Sequence, residues 1–305
     1  MEKDTYESGR RRIEYKTSLL MGLIVIVISS LSVAWALVLS KSGVADLLGS
    51  PFVPEESPQG VLINSLIILF LVLLGTGLLL ALIRFRKIHT IPAVMAFAVA
   101  FSFWGIAEIY FYSLATLAPL ARYSDYLQQY ADLLSISVAV LAAVLIIKPV
   151  SAKLLDILLI IYGTMAGSLL AVTLPGWTPF AVAVILAVYD VYSVFYGPLK
   201  RILENTVGEG QSRESKLKSP LRGAVIVVDN IALGMGDVLI YSMLSSSYYL
   251  FPFNSAARWV LTTIAIALGL YFTLKMLTRK KYMPALPIPV FLSLAVYVIC
   301  LLIGF

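Results

Sequence analysis

Two stretches of this chain carry residue types that could do chemistry together: Tyr189-Asp190 and Gly234-Met235-Gly236-Asp237. Each places one carboxylate near the middle of a long apolar run, where an ionised Asp costs roughly 2.5 to 3.5 kcal/mol on insertion scales. Two carboxylates brought within a few ångströms in a low-dielectric site cannot both ionise, so they share a proton and titrate as a unit. One then serves as general base towards a water, while the other, protonated, donates to a scissile carbonyl oxygen and later to the leaving nitrogen. Nothing else in the chain offers comparable chemistry. The single histidine, His89, lies between apolar runs beside Arg84, Arg86 and Lys87, and the single cysteine, Cys300, lies in the last apolar run. Disulfides within the chain and Cys- or His-based metal sites are thereby excluded, and neither a His-Glu-x-x-His nor a Gly-x-Ser-x-Gly motif is present. No metal or organic cofactor is expected.

The elements that must position these residues cross a membrane. The chain has 305 residues, 60% hydrophobic and 13% charged, with mean hydropathy +0.93. That is too little polar surface to cover a soluble globule of this size. Its apolar runs fit the ~20 residues a helix needs to cross a hydrocarbon core, and they lack the alternating pattern of a membrane barrel. We read nine spans, over residues 19–39, 61–83, 91–117, 133–147, 154–174, 179–199, 223–244, 256–277 and 286–304. The expectation is an all-α integral membrane protein of nine transmembrane helices, residues 1–305 forming one multi-pass domain. The first run is too long for a signal-peptide core and should remain as an anchor.

Charge in the loops supports the count independently. Residues 1–18, Arg84/Arg86/Lys87, Lys148/Lys153, 200–222 and Lys275/Arg279/Lys280/Lys281 are basic, and the intervening loops are poor in Lys and Arg. By the positive-inside rule this puts the N-terminus in the cytoplasm and, after nine spans, the C-terminus outside. The net charge of +6 is thus topological, and no nucleic-acid partner is expected. Asp190 lies ten residues before Lys200, and Asp237 lies fifteen after Arg222. As helical rises these are about 15 and 22 Å from one basic loop, close enough in depth for neighbouring spans to bring the carboxylates together. The 200–222 stretch, polar and glycine-bearing, is a cytoplasmic loop that serves either as a solvated linker or as a gate or docking edge.

Further residues are read two ways. Gly234 and Gly236, flanking Met235, either pack helices closely or let an extended substrate approach beside the carboxylate. Tyr189 offers a phenol near the dyad or simply packs. Pro284-Ala285-Leu286-Pro287-Ile288-Pro289 cannot be regular helix throughout; it is a helix start or a rigid extended segment at the floor of a cavity. Glu108 is an intramembrane acid near a span end, and Asp156 and Asp229 lie near basic span ends, where an interfacial position is expected. Gly163 and Gly167 are spaced for helix packing.

Taken in order, Tyr-Asp on one span, Gly-x-Gly-Asp on the next and Pro-Ala-Leu before the last resemble the presenilin and signal peptide peptidase family of intramembrane aspartyl proteases. The inferred orientation is that of the presenilin branch. The resemblance implies a presenilin-like fold, catalysis by Asp190 and Asp237, and substrate contact at Tyr189, Gly234, Met235, Gly236, Pro284, Ala285 and Leu286. It implies transmembrane-helix substrates met within the lipid bilayer, in the cell membrane if the chain is prokaryotic. The loop between the sixth and seventh spans is short and polar and lacks the hydrophobic segment at which presenilins cut themselves, so an intact single chain is expected. Two rivals use the same residues: a proton- or cation-coupled secondary transporter, which often shows inverted repeats not evident here, and an inactive relative that only holds membrane partners.

Overall fold

A computed structural model describes residues 15–44, 52–53, 57–85, 88–117, 121–197, 222–228, 231–277 and 283–305. The N-terminal Arg10 to Arg12, the 200–221 stretch, Asp229 and the basic residues 279–281 lie outside the described residues, so the readings placed on them do too. Among the described residues there are nine α-helices and one two-stranded hairpin. The helices are α1 (Tyr15–Ser42), α2 (Pro58–Arg84), α3 (Ile91–Thr116), α4 (Ser124–Ile147), α5 (Ala152–Thr173), α6 (Thr178–Phe195), α7 (Met235–Leu250), α8 (Ala256–Leu277) and α9 (Pro287–Ile303). Seven of them, α1 to α6 and α8, are long and apolar enough to cross a membrane. α7 and α9, with 16 and 17 residues, fall short of that length.

Two sequence expectations are corrected. The fourth helix begins at Ser124, not at residue 133, because its first turns, Ser124 to Asp132, are helical although polar. A hydropathy window does not register such a segment. The seventh span does not begin at residue 223: Val225–Val228 (β1) and Ile231–Gly234 (β2) pair as an antiparallel hairpin, and helix starts only at Met235. The run Val-Ile-Val-Val is rich in β-branched residues, which favour a pleated strand. Because Val225 pairs with Gly234, the chain returns on itself, and the fifteen-residue descent from Arg222 to Asp237 collapses.

The centre of the bundle is α7, whose residues Ile240 to Tyr248 are all buried. It packs against α5 and α1. Small side chains permit this: a Cβ on Gly167 would stand 2.5 Å from the Leu239 carbonyl oxygen, and one on Gly163 would stand 2.9 Å from Val238 Cγ1. The packing reading of these two glycines therefore holds. α3 and α4 pair with each other, α8 packs on α9, and α9 on α6. α2 packs mainly on α6 and leaves Phe70, Leu71 and Leu74 exposed, as suits a lipid-facing helix.

The end of the bundle remote from the hairpin is tied by one buried cation. Arg258, fully buried at the start of α8, donates to the carbonyls of Tyr248 at 2.6 Å, Phe305 at 3.0 Å and Tyr249 at 3.3 Å, and to that of Phe253. Its guanidinium lies over the Phe253 and Tyr297 rings, 4.8 and 5.6 Å from their centroids. Tyr297 stacks on Phe180 of α6, and Tyr248 stacks on Phe180 in turn. The ends of α6, α7 and α9 are thus joined through aromatic faces and Arg258, whose planar fork can serve several carbonyls at once.

Candidate active site

Asp237 occupies the third position of α7, not the middle of a long helix. Its Oδ2 accepts the amide of Gly234, the residue preceding the helix, at 3.1 Å. A carboxylate there satisfies an orphan amide of the first turn and lies at the positive end of the helix dipole. The insertion cost assumed for a mid-helix Asp is accordingly reduced. The backbone leading in is fixed by the Met235 amide, which donates to the Ala224 carbonyl at 2.8 Å across the base of the hairpin.

Asp190 lies within α6, five residues before Phe195, and is partly buried. Its Oδ2 accepts the Leu286 amide at 3.1 Å, and the Ala285 backbone amide acts on it as well. These amides are available because the Pro284–Leu286 segment is not helical. Pro287 is the first residue of α9, and Leu286 caps it with φ −79° and ψ −41°. The helix-start reading of the proline run holds at Pro287; Pro284-Ala285-Leu286 precedes it as non-helical backbone, with Leu286 in the right-handed region and not extended. Irregular backbone at membrane depth is tolerated where protein buries it or it lines a wet cavity.

The two carboxylates act on each other electrostatically, and Tyr241 lies within the field of both. Tyr241 stands one turn after Asp237 on α7, is buried, and donates its hydroxyl to the Ala285 carbonyl at 2.8 Å. Asp156, near the start of α5, is likewise buried, and its Oδ1 accepts the Val227 amide of β1 at 3.1 Å. Asp156 thus has a structural role as well: it fastens the hairpin to α5. Tyr241 has no signal in the sequence, and the tie made by Asp156 is not readable there, because their partners lie 44 and 71 positions away.

The other expected contact residues are placed as follows. Gly236 is exposed, and a Cβ there would meet nothing within 4 Å. At Gly234 a Cβ would stand 3.1 Å from Asp237 Oδ2, so the lack of a side chain lets the carboxylate fold back onto the Gly234 amide. Met235 is directed towards α5, its Cε 3.1 Å from where a Gly163 Cβ would lie, and its side chain packs there. Pro284 and Leu286 are buried and Ala285 is half-buried. The Tyr189 hydroxyl is buried without a hydrogen-bond partner among the described residues. Glu108 belongs to a separate group: with Asp132 it acts on Tyr112, whose hydroxyl donates to Asp132 at 3.4 Å. Among the described residues no group of three or more His, Cys, Asp or Glu could hold a metal ion.

No protein-family model matches the chain. Over 127 residues, 41% of its length, it is 36% identical to Presenilin-B of Dictyostelium discoideum, of which the alignment covers 26%. The chain thus spans about a quarter of that relative. Among solved structures it is similar to a presenilin family intramembrane aspartate protease determined in two crystal forms, C222 and P2. The TM-score is 0.62 for each at 20% sequence identity, covering 94% of this chain and 99% or 98% of the other. In fold over nearly its whole length, and in sequence over the stretch shared with Presenilin-B, this multi-pass membrane chain is presenilin-like.

Proposed function

We propose that the chain is an intramembrane aspartyl protease that hydrolyses peptide bonds within transmembrane segments of membrane-protein substrates. The observation that supports the reading is geometric: Asp237 accepts the Gly234 amide, Asp190 accepts the Leu286 amide, and Tyr241, one turn after Asp237, donates to the Ala285 carbonyl of that same segment. In the reaction one carboxylate, ionised, takes a proton from a water as that water attacks the scissile carbonyl. The other, protonated, donates to the carbonyl oxygen as it becomes tetrahedral. Collapse of this intermediate breaks the C–N bond, and a proton passes to the leaving nitrogen.

A helical substrate must unwind to expose its peptide groups, and the hairpin offers somewhere for the unwound strand to pair. Asp156 takes the Val227 amide on the side of β1 facing α5, which leaves β2 as the strand for addition. β2 leads directly into the turn bearing Asp237, so a strand added there runs past the carboxylates. Main-chain pairing reads any sequence, as a protease of varied substrates requires. The exposed Gly236 leaves room for that backbone. The bias of basic residues between alternate loops supports an N-terminus in the cytoplasm and a C-terminus outside.

The test is incubation of the purified protein in lipid with a labelled single-span peptide in water enriched in heavy oxygen. The expected result is a pair of products whose junction lies within the apolar span, with one heavy oxygen in the new carboxyl group. If no member of a varied substrate panel is cut and the protein instead carries protons or cations across liposomes, the reading fails and transport takes its place.

A further inference from the structure

Successive peptide groups of one segment are held from two sides. The Ala285 carbonyl accepts the Tyr241 hydroxyl at 2.8 Å, and the next amide, that of Leu286, donates to Asp190 Oδ2 at 3.1 Å. Tyr241 lies four residues after Asp237 and therefore on the same face of α7, whereas Asp190 lies on α6. The short segment before α9 is consequently a bridge from the helix of one carboxylate to the side chain of the other. A Tyr hydroxyl is one donor and can serve one strong acceptor at a time. Here the donor is spent on Ala285, so it is not directed at either carboxylate.

We infer that Tyr241 is a positioning residue: by clamping the Ala285 carbonyl it fixes the plane of the Ala285–Leu286 peptide and aims the Leu286 amide at Asp190. This inference rests on the reading of Asp190 and Asp237 as a hydrolytic pair. The rigidity of the peptide unit is what transmits the effect, because carbonyl and amide share one plane and cannot be oriented separately. The segment has few other tethers of its own, since Pro284 lacks an amide and Pro287 can only open the following helix. Loss of the clamp frees the peptide to rotate and weakens the Leu286 donor, the closer of the two backbone amides that act on the Asp190 carboxylate. Misorientation of a general acid or base lowers the chemical step and leaves substrate docking, which occurs along the hairpin, untouched.

The experiment uses Tyr241→Phe in the full chain, which keeps the buried ring and removes only the hydroxyl, and reads two quantities. The first needs no activity: amide exchange in the 283–290 segment, where Pro284, Pro287 and Pro289 leave few reporting amides. Exchange of the Leu286 amide should quicken about tenfold in Tyr241→Phe and in Asp190→Ala alike, with the amides of α7 unchanged. A Leu286 amide as protected in Tyr241→Phe as in the unmodified chain overturns the inference. The second is the rate split on a cleaved single-span peptide: kcat should fall about 10- to 100-fold with KM unchanged. An unchanged kcat, or a loss confined to KM, also overturns it. If the unmodified protein cleaves no peptide, the protease reading is what fails, and the exchange measurement still decides whether Tyr241 aims Leu286.

Discussion

The Leu286 amide donates to Asp190 Oδ2 across 3.1 Å and 96 positions of sequence, so the start of α9 orients a carboxylate on α6. Leu286→Pro removes that donor at a residue whose φ of −79° proline can adopt. The Leu286 carbonyl still accepts the Val290 amide, so the first turn of α9 persists. Cleavage should fall about 10- to 100-fold, the value of one hydrogen bond to a charged group. The check is kcat on a labelled single-span peptide beside the melting profile; a variant that melts normally and cleaves at the original rate speaks against this relationship.

Asp156 holds β1 through the Val227 amide, and both residues are buried. Asp156→Leu leaves that amide without its acceptor, which costs about 1 to 3 kcal/mol. Asp156→Asn keeps a carbonyl oxygen and should recover most of the loss. Chemical unfolding of the three proteins in detergent ranks them, and equal midpoints for the Leu variant and the unmodified chain contradict the assignment.

Two glycines should separate packing from access. Gly167→Ala puts a Cβ 2.5 Å from the Leu239 carbonyl oxygen, so α5 and α7 must part, and stability should drop by about 1 to 3 kcal/mol. Gly236→Ala meets nothing within 4 Å, so its melting temperature should not move, while cleavage slows because a substrate backbone approaches there. Melting curves and rates for both variants settle the contrast. A Gly236→Ala protein cleaving at full rate removes Gly236 from the substrate path.

Arg258 serves four backbone carbonyls from a fully buried position. Arg258→Met fills much of the volume and supplies no donor, so those acceptors lose their partner and stability should fall by roughly 3 kcal/mol or more. A thermal melt of the variant within error of the unmodified protein refutes this role.

What could be read from sequence follows from how far each signal reaches. Asp190 and Asp237 stand out because a carboxylate in an apolar run demands a reason, and the glycines and prolines near them punctuate the chain locally. The hairpin was legible only in part. Val225 to Gly234 is a largely apolar run that periodicity alone does not assign to helix or strand; its β-branched residues favour a strand, but Asp229-Asn230 lacks the glycine of the pairs that mark a tight hairpin. Counting it as helix moved Asp237 from a helix start to a helix middle and overstated its depth. The polar first turns of α4 escaped because hydropathy reports the hydrocarbon-facing part of a helix and not its full length. Tyr241 and Arg258 carry no local signature, and Asp156 shows only its place near a basic span end; their roles come from partners brought near by folding.

Whether Asp190 and Asp237 work as one hydrolytic unit is tested by cleavage of a labelled single-span peptide by the unmodified protein, Asp190→Asn and Asp237→Asn in the same lipid. Asn keeps the size and one acceptor oxygen, so the Leu286 and Gly234 amides retain a partner. Either substitution alone should reduce cleavage by at least about a thousandfold while the melting profile is kept, and combining them should cost little more than either one. Near-normal cleavage by either single variant would contradict that joint action.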